Sequence, residues 1–491
     1  MGSNSLSEYL FTTPVILACI YLVNFIIAFT IIFLERKNPS ATLAWLMILF
    51  ILPGFGIVLY IMLSQNIARH KIFKLHTFEE KRINEALSAQ IADMKSNKFV
   101  YSNIAEARWK DMIRLNQKYG EAFLTQDNKV EIFTEGSKKF ASLLTDISNA
   151  QQSLHIEYFI LKPDVVGLAF LDALTKKAKQ GVEVRLLLDA MGSVYIKRWH
   201  LKALRQAGGR VAFFFPPKMF KFFNFKFNYR NHRKLAVIDR KIAYVGGFNV
   251  ADEYVGISKK FSSWRDTHIR LRGSCVQDVD ARFVLDWRFA SGEDISLPTE
   301  YFAFPPLENS TGVQIISSGP DSPHTEVKLA YLKMIAGAER NIYLQTPYFI
   351  PDDSIYEALK MAALAGVDVR IMIPNQPDHP FVYWVTYSNV GSLLDSGVKV
   401  YVYDKGFMHA KAITVDGEIS SVGSANFDIR SFKLNFECNA ILYDRNITKK
   451  LESEFEKDMM SSFRLTPLIY RNRSTWVKFR ESVGRLISDI L

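Results

Sequence analysis

Two stretches of the chain repeat one arrangement of residues able to handle a phosphate ester. "HRKLAVIDRKIAYVGGFN" carries His232, Lys234, Asp239, Gly246, Gly247 and Asn249, and "HAKAITVDGEISSVGSAN" carries His409, Lys411, Asp416, Gly423, Ser424 and Asn426. Both obey H-x-K-x4-D-x6-G-[GS]-x-N. A lone H-x-K pair signifies nothing, but ordinary core histidines would not need the whole pattern twice. On a strand, residues i and i+2 share a face, so each histidine projects together with its lysine. If the copies face one another, two imidazoles and two ammonium groups converge on one small volume. The lysines then neutralise the non-bridging oxygens of a phosphate during displacement. One imidazole attacks phosphorus and the other protonates the departing alkoxide. Asn249, Asn426, Ser424 and the backbone amides of the turns at Gly247 and Ser424 are expected to complete the cradle.

An imidazole that acts as a nucleophile needs its second nitrogen held by an oriented acceptor. Asp266 in "WRDTH" and Glu437 in "NFECN", each downstream of a motif at the end of a predicted strand, are the candidates. Glu157 in "HIEYF" is a weaker candidate that also fits a structural role.

A repeated framework carries these residues. "FLDALTKKAKQGVEVRLLLDA" (170–190) reads as a helix, a Gly stop and a short apolar strand, and "YEALKMAALAGVDVRIMIPN" (356–375) repeats that plan. Upstream, "LHIEYFILKPD" matches "IYLQTPYFIPD". Helices alternating with short strands predict an α/β fold: two pseudo-symmetric domains with helices packed on mixed, largely parallel sheets. The expected boundaries are 126–294 and 313–491, divided by a Pro-containing linker at 295–312 and preceded by a polar, helix-rich connector at 67–125.

The N-terminus bears on location. Residues 14–34 and 43–63 are two uncharged runs of 21 residues each, joined by "ERKNPSAT". Each is long enough to span a hydrocarbon core, so residues 1–66 are expected to form a transmembrane helical hairpin. Pro53 and Gly54 leave a kinked or re-entrant second helix open. Arg69, Lys71, Lys74, Lys81 and Arg82 follow the hairpin, against Arg36 and Lys37 in its link, which favours a cytoplasmic catalytic region. Lys plus Arg number 61 against 50 Asp plus Glu, an excess that suits an anionic partner. Cys19, Cys275 and Cys438 are far apart, so neither a disulfide framework nor a zinc site is indicated.

The paired motifs resemble the HKD signatures of the phospholipase D superfamily. The hairpin with "ERKNPSATLAW", and the stretches "HIEYFI", "YVGGFNVADEY" and "WRDTHIR", are more narrowly similar to bacterial cardiolipin synthases over nearly the whole chain. That resemblance implies two phospholipase D-like domains and transfer of a phosphatidyl group between two phosphatidylglycerols, giving cardiolipin and glycerol. It implies a phosphohistidine intermediate, no metal and no other cofactor. His232 would be the nucleophile and His409 the acid, later the base, an order the sequence itself does not decide. The resemblance ranks Asp239 and Asp416 below the His/Lys pairs, as supports of the fold. It also places the protein in a bacterial cytoplasmic membrane as a multi-pass protein, with anionic lipids and not nucleic acid as partners. Homo-oligomerisation is left open. A phospholipase D-type hydrolase or another transphosphatidylase is the alternative.

Two further stretches concern the membrane. In "KMFKFFNFKFNYRNHRK", Phe220, Phe222, Phe223 and Phe225 stand among Lys218, Lys221 and Lys226 directly before the first motif. The second copy lacks this insert, so it is read as a membrane-contacting segment, with rings toward acyl chains and lysines toward headgroups. At the C-terminus, "STWVKFRESVGRLISDIL" fits either a basic interfacial helix or a helix packed on the domain.

Overall fold

The computed structural model describes residues 4–35, 39–63, 72–73, 75–216, 229–258, 261, 263–297, 311–322, 324–376, 378 and 380–488. These fall into two compact units, one made of Met1–Ile67, Lys218–Tyr229 and Val483–Leu491, the other of Ala68–Pro217 and Arg230–Ser482. In the first unit a helix over Asn4–Thr30 runs into a π-helical turn at Ile31–Glu35. Its stretch Pro14–Phe33 is long and apolar enough to cross a membrane.

The second apolar run is not one uninterrupted helix. It divides into Pro39–Ile51 and Phe55–Leu63. The break falls where Pro53 offers no amide hydrogen and Gly54 takes a left-handed φ of 84°. The two pieces stay packed, with Trp45 edge-on to Tyr60 at 5.3 Å, and the first piece is tied to the first helix where Asn24 Nδ2 donates to the Leu49 carbonyl at 2.9 Å.

The second unit is built on one continuous strand ladder. Its first half contains β1 (Thr125–Glu135), β2 (Ser153–Tyr158), β3 (Glu183–Asp189), β4 (Arg210–Phe214), β5 (Arg230–Asn231), β6 (Leu235–Ile238), β7 (Ile242–Gly246) and β8 (Trp264–Arg272). The second half contains β9 (Thr311–Ser318), β10 (Asn341–Gln345), β11 (Phe349–Ile350), β12 (Asp368–Pro374), β13 (Lys399–Tyr403) and β14 (Phe407–Met408). It continues with β15 (Ala412–Val415), β16 (Ile419–Gly423), β17 (Phe427–Asp428), β18 (Asn435–Tyr443) and β19 (Ser462–Leu465).

Neighbouring pairs give the order β4-β3-β2-β6-β7-β8-β1 in the first half, and β13-β12-β10-β15-β16-β18-β9 in the second. The two orders correspond strand for strand and join through the antiparallel β1–β9 pair. The repeat legible in the sequence is thus a structural repeat.

Two expectations need correcting. The sheet is mixed but not largely parallel: β2-β3-β4, β10-β12-β13 and the short β5–β18 and β14–β8 pairs run parallel, while the other described pairs within it are antiparallel, because each motif strand turns back through a hairpin. The linker expected at 295–312 is also shorter at its end, since β9 already begins at Thr311. Strands β2 and β3 are buried along almost their whole length, which is why "SLHIEY" and "EVRLLLD" show little alternation.

The connector is no loose tether. Its helices cover Thr77–Lys95, Ile104–Arg108 and Lys110–Gly120. Trp109, Met112 and Ile113 are buried in the core of the second half, beside Tyr331, Met334 and Ile342. The C-terminal helix Thr475–Ser488 is held partly by Arg473, which pairs with the buried Glu481 at 2.8 Å, while Trp476 and Phe479 stack on each other and stay exposed.

Candidate active site

Each motif begins on a short strand that pairs with the opposite half. Strand β5 lies parallel to β18, with Arg230 opposite Asn435 and Asn231 opposite Phe436. Strand β14 lies parallel to β8, with Phe407 opposite Trp264 and Met408 opposite Arg265. The ladder extends one bond further in each case: His232 N donates to the Phe436 carbonyl (3.0 Å) and His409 N to the Arg265 carbonyl (2.7 Å). That register sets each histidine beside the next residue of the opposite strand, which is Glu437 for His232 and Asp266 for His409.

The carboxylates are therefore exchanged between the halves. His232 Nδ1 lies 3.0 and 3.1 Å from the two oxygens of Glu437, and His409 Nδ1 lies 2.5 Å from Asp266 Oδ2. Donating Nδ1–H to a carboxylate leaves the Nε2 lone pair of each ring free. Both acceptors are themselves fixed. Ser424 Oγ donates to Glu437 Oε2 (2.5 Å) and Asn435 Nδ2 to Oε1 (3.3 Å), while Thr267 N donates to Asp266 Oδ1 (2.7 Å). Phe159 stands edge-on to the His232 ring at 5.0 Å, and Trp264 lies 5.0 Å from the His409 ring.

Lys234 and Lys411 are fully buried, and each Nζ donates to the carbonyl of its own histidine, at 2.6 and 2.5 Å. Burial lowers the Lys234 ammonium to about 7 and that of Lys411 to about 8. Burial likewise lowers both imidazoles to about 4, against the opposing pull of Glu437 and Asp266. Lys411 also bears on His232 and Lys234 on His409, so the charges of the two halves share one site. Burial would raise Glu437 and Asp266, yet His232 and Lys234, and Lys411 and His409, hold them below the usual carboxylate range. Near neutrality the site holds neutral imidazoles backed by carboxylates, next to cations able to meet a phosphate.

Comparison with known proteins gives this geometry a family. The model of the cardiolipin synthase PLD-like domain matches residues 143–261 and 331–459, and that of the phospholipase D-nuclease N-terminal region matches residues 22–65. A cardiolipin synthase of Staphylococcus aureus is 48% identical over 472 residues, covering 96% of this chain and 95% of that one. The major cardiolipin synthase of Bacillus subtilis is 46% identical over 481 residues, covering 98% and 99%. The chain belongs to the cardiolipin synthase family. Cardiolipin synthases of this type are phosphatidyltransferases, and so is this chain. In the fold alone it resembles a phosphatidylserine synthase of Haemophilus influenzae, with a TM-score of 0.59 at 13% identity, covering 77% of this chain and 100% of that one.

Within this cardiolipin synthase framework, the structure brings together His232, Lys234, His409, Lys411, Asp266 and Glu437. The motif aspartates do not join them. Asp239 accepts the amides of Gln151, Gln152 and Ser153 (2.8, 2.7 and 2.9 Å), and Asp416 those of Arg340 and Asn341 (2.7 and 3.0 Å). Each sits beyond its motif strand in a left-handed turn, φ 50° and 56°, roughly 20 Å of extended chain from its histidine. Arg108 of the connector pairs with Asp416 (2.8 Å) and with Glu418 (2.5 Å).

The groups of the expected cradle have partners within the fold. The Gly247 and Ser424 amides are consumed by the carbonyls of Thr267 and Cys438. Asn249 is committed to Ile160 N and Tyr254 Oη, at 3.1 and 2.9 Å. Asn426 Nδ2 donates one hydrogen to Asp428 (3.1 Å). Ser424 serves Glu437. Gly247, its counterpart, leaves room for Asp266: a Cβ there would lie 1.9 Å from Asp266 Oδ1.

Glu157 is structural, accepting from Asn231 Nδ2 at 2.6 Å within the buried group that pairs Arg233 with Asp286. Phe159, Trp264 and Asn435 escaped sequence reading, although each stands two residues from a carboxylate on the same strand or its continuation. Phe220, Phe222, Phe223, Phe225, Lys218, Lys221 and Lys226 lie outside the described residues.

Proposed function

We propose that the chain makes cardiolipin and glycerol from two phosphatidylglycerols by two in-line displacements at one phosphorus. His232 Nε2 attacks the phosphorus of the first lipid, and the bond to its headgroup glycerol breaks. His409 Nε2–H gives its proton to the leaving alkoxide, releasing glycerol. The terminal hydroxyl of the second phosphatidylglycerol then passes its proton to His409 and attacks the phosphorus, and the phosphorus–nitrogen bond breaks. The observation that carries this reading is the exchanged pair of carboxylates, which leaves both Nε2 atoms available while Lys234 and Lys411 flank them. The phosphodiester's negative charge raises the His409 pKa from its empty-site value and so supports its role as acid. The order of the two histidines follows the family pattern.

The same reading anchors the protein by two membrane passes within residues 1–66, with the catalytic unit on the cytoplasmic face and anionic lipids around it. The domain boundaries become 126–297 and 311–491, with residues 218–226 contacting the membrane. A homo-oligomer is compatible with it. The experiment is incubation of detergent-purified protein with labelled phosphatidylglycerol. Cardiolipin with equimolar glycerol is expected, and mass spectrometry of quenched enzyme should find the phosphatidyl group on His232. Phosphatidic acid as sole product would overturn the transferase, and an adduct on His409 would reverse the order.

A further inference from the structure

Residues 190–238 contain 11 Lys and Arg and no Asp or Glu, so this one stretch carries the whole formal excess of +11 and the rest of the chain is balanced. Its first part, 190–206, lies on the surface beside the active site. The Asp189 carboxylate at the end of β3 accepts the amides of Met191, Gly192 and Asn231, the residue before the catalytic histidine (3.0, 2.9 and 3.0 Å). Ser193 Oγ donates to the carbonyl of Phe159, whose ring packs on His232 (3.0 Å). Ile196, Leu201 and Leu204 are buried and pin the segment down. What they leave outside is unusual in combination: Val194, Tyr195 and Trp199 are 47%, 62% and 69% exposed, among exposed Lys197, Arg198, Lys202 and Arg205. Arg198, Trp199, Lys202 and Arg205 line an open cleft of about 420 Å³. Among the described residues, Arg198, Lys202 and Arg205 face no acidic partner.

We infer that this patch is a docking surface for an anionic phospholipid bilayer, seating the rim of the active site on the membrane. Trp and Tyr favour the boundary between headgroups and acyl chains, because each ring pairs an apolar body with a polar edge. Val194 adds an aliphatic contact suited to acyl chains rather than to stacked bases. Each basic side chain near an anionic leaflet strengthens binding by about fivefold. The inference rests on the proposed lipid substrate, which must reach His232 from a bilayer. It is distinct from the apolar helical stretch Pro14–Phe33, whose length and composition suit crossing a membrane.

The test uses the full chain in lipid nanodiscs, with Trp199→Cys carrying an environment-sensitive fluorophore in a Cys19→Ser background. His232→Ala is included so that the lipid is not consumed. The expected result is a blue shift and several-fold weaker quenching by iodide in discs containing phosphatidylglycerol, compared with phosphatidylcholine alone, reversed by salt. Arg198→Gln, Lys202→Gln and Arg205→Gln together should abolish that protection. In the active enzyme they should raise the apparent KM for phosphatidylglycerol in vesicles on the order of tenfold or more, with kcat in detergent micelles unchanged. Equal quenching in both discs would overturn the inference. Protection that follows protein density in phosphatidylcholine would assign the patch to a second copy, and protection only by added single-stranded DNA would assign it to nucleic acid; both results reject it. The readout is the surroundings of residue 199 and not turnover, so failure here leaves the assigned reaction untouched.

Discussion

Glu437 in the second repeat lies 3.0 Å from Nδ1 of His232 in the first, and Asp266 returns the arrangement to His409 at 2.5 Å. Neither histidine takes its carboxylate from its own half. Since the carboxylate keeps the Nδ1–H tautomer and stabilises the cationic ring, Glu437→Gln should cut kcat by about 10²–10⁴-fold. KM should change little. A purely structural role predicts lost folding instead, so melting of the purified variant separates the two.

The small residue after each Gly turn gives a second prediction. Gly247→Ser would drive a Cβ into the Asp266 carboxylate, displacing the support of His409. A loss of about 10²-fold or more in kcat is expected. Ser424→Ala removes the 2.5 Å bond to Glu437 and the acceptor of the Cys438 amide (3.0 Å), without a steric clash, and should cost about tenfold. Steady-state rates in mixed micelles decide whether that order holds.

For pH, the buried lysines and the nucleophilic His232, which must be neutral to attack, set opposite limbs. In the free enzyme Lys234 and Lys411 lose their protons around 7 and 8, so kcat/KM should fall on the alkaline side from about there. Bound phosphodiester keeps the ammonium groups charged, so the alkaline limb of kcat should lie higher. Full pH profiles of both constants test this, and coincident limbs would contradict it.

Stability should follow the same groups with a definite sign. Each imidazole titrates near 4 when folded, below its ordinary 6.5, so the unfolded chain binds more protons between those values. The contribution of the imidazoles is thus fully present above about pH 6.5 and is lost as pH falls toward 4, by on the order of 3 kcal/mol per histidine before their coupling is counted. The lowered Glu437 and Asp266 act in the same direction. Melting temperature should drop through this window, and His232→Gln with His409→Gln should flatten the drop.

The motif aspartates should behave differently from all of these. Asp239→Ala leaves three backbone amides without their acceptor and should cost about 2 kcal/mol of stability. The kcat of the protein that remains folded should stay within a few-fold of the parent.

Much of this was legible because the chemistry repeats. The twofold H-x-K pattern picked out His232, Lys234, His409 and Lys411, and the need for an acceptor picked out Asp266 and Glu437. The exchange between halves was not legible, because it depends on β5 pairing with β18 and β14 with β8, contacts between segments 205 and 143 residues apart. The partners of the expected cradle were not legible for a related reason: the fold gives the turn amides to Thr267 and Cys438, and one hydrogen each of the Asn249 and Asn426 side-chain amides to Tyr254 and Asp428. The largely parallel sheet was an over-reading of the βαβ segments, since the hairpins β6–β7 and β15–β16 turn the motif strands antiparallel.

The single ladder through both repeats bears on how the enzyme is made. A nascent chain that has left the ribosome only as far as β8 carries His232 with no carboxylate behind it, because Glu437 is 205 residues further on. Contacts so distant in sequence close late in folding. The His232–Glu437 pair is thus assembled last, when the chain is nearly complete. A truncated product retaining the membrane helix and the first motif would be inert toward the lipids around it.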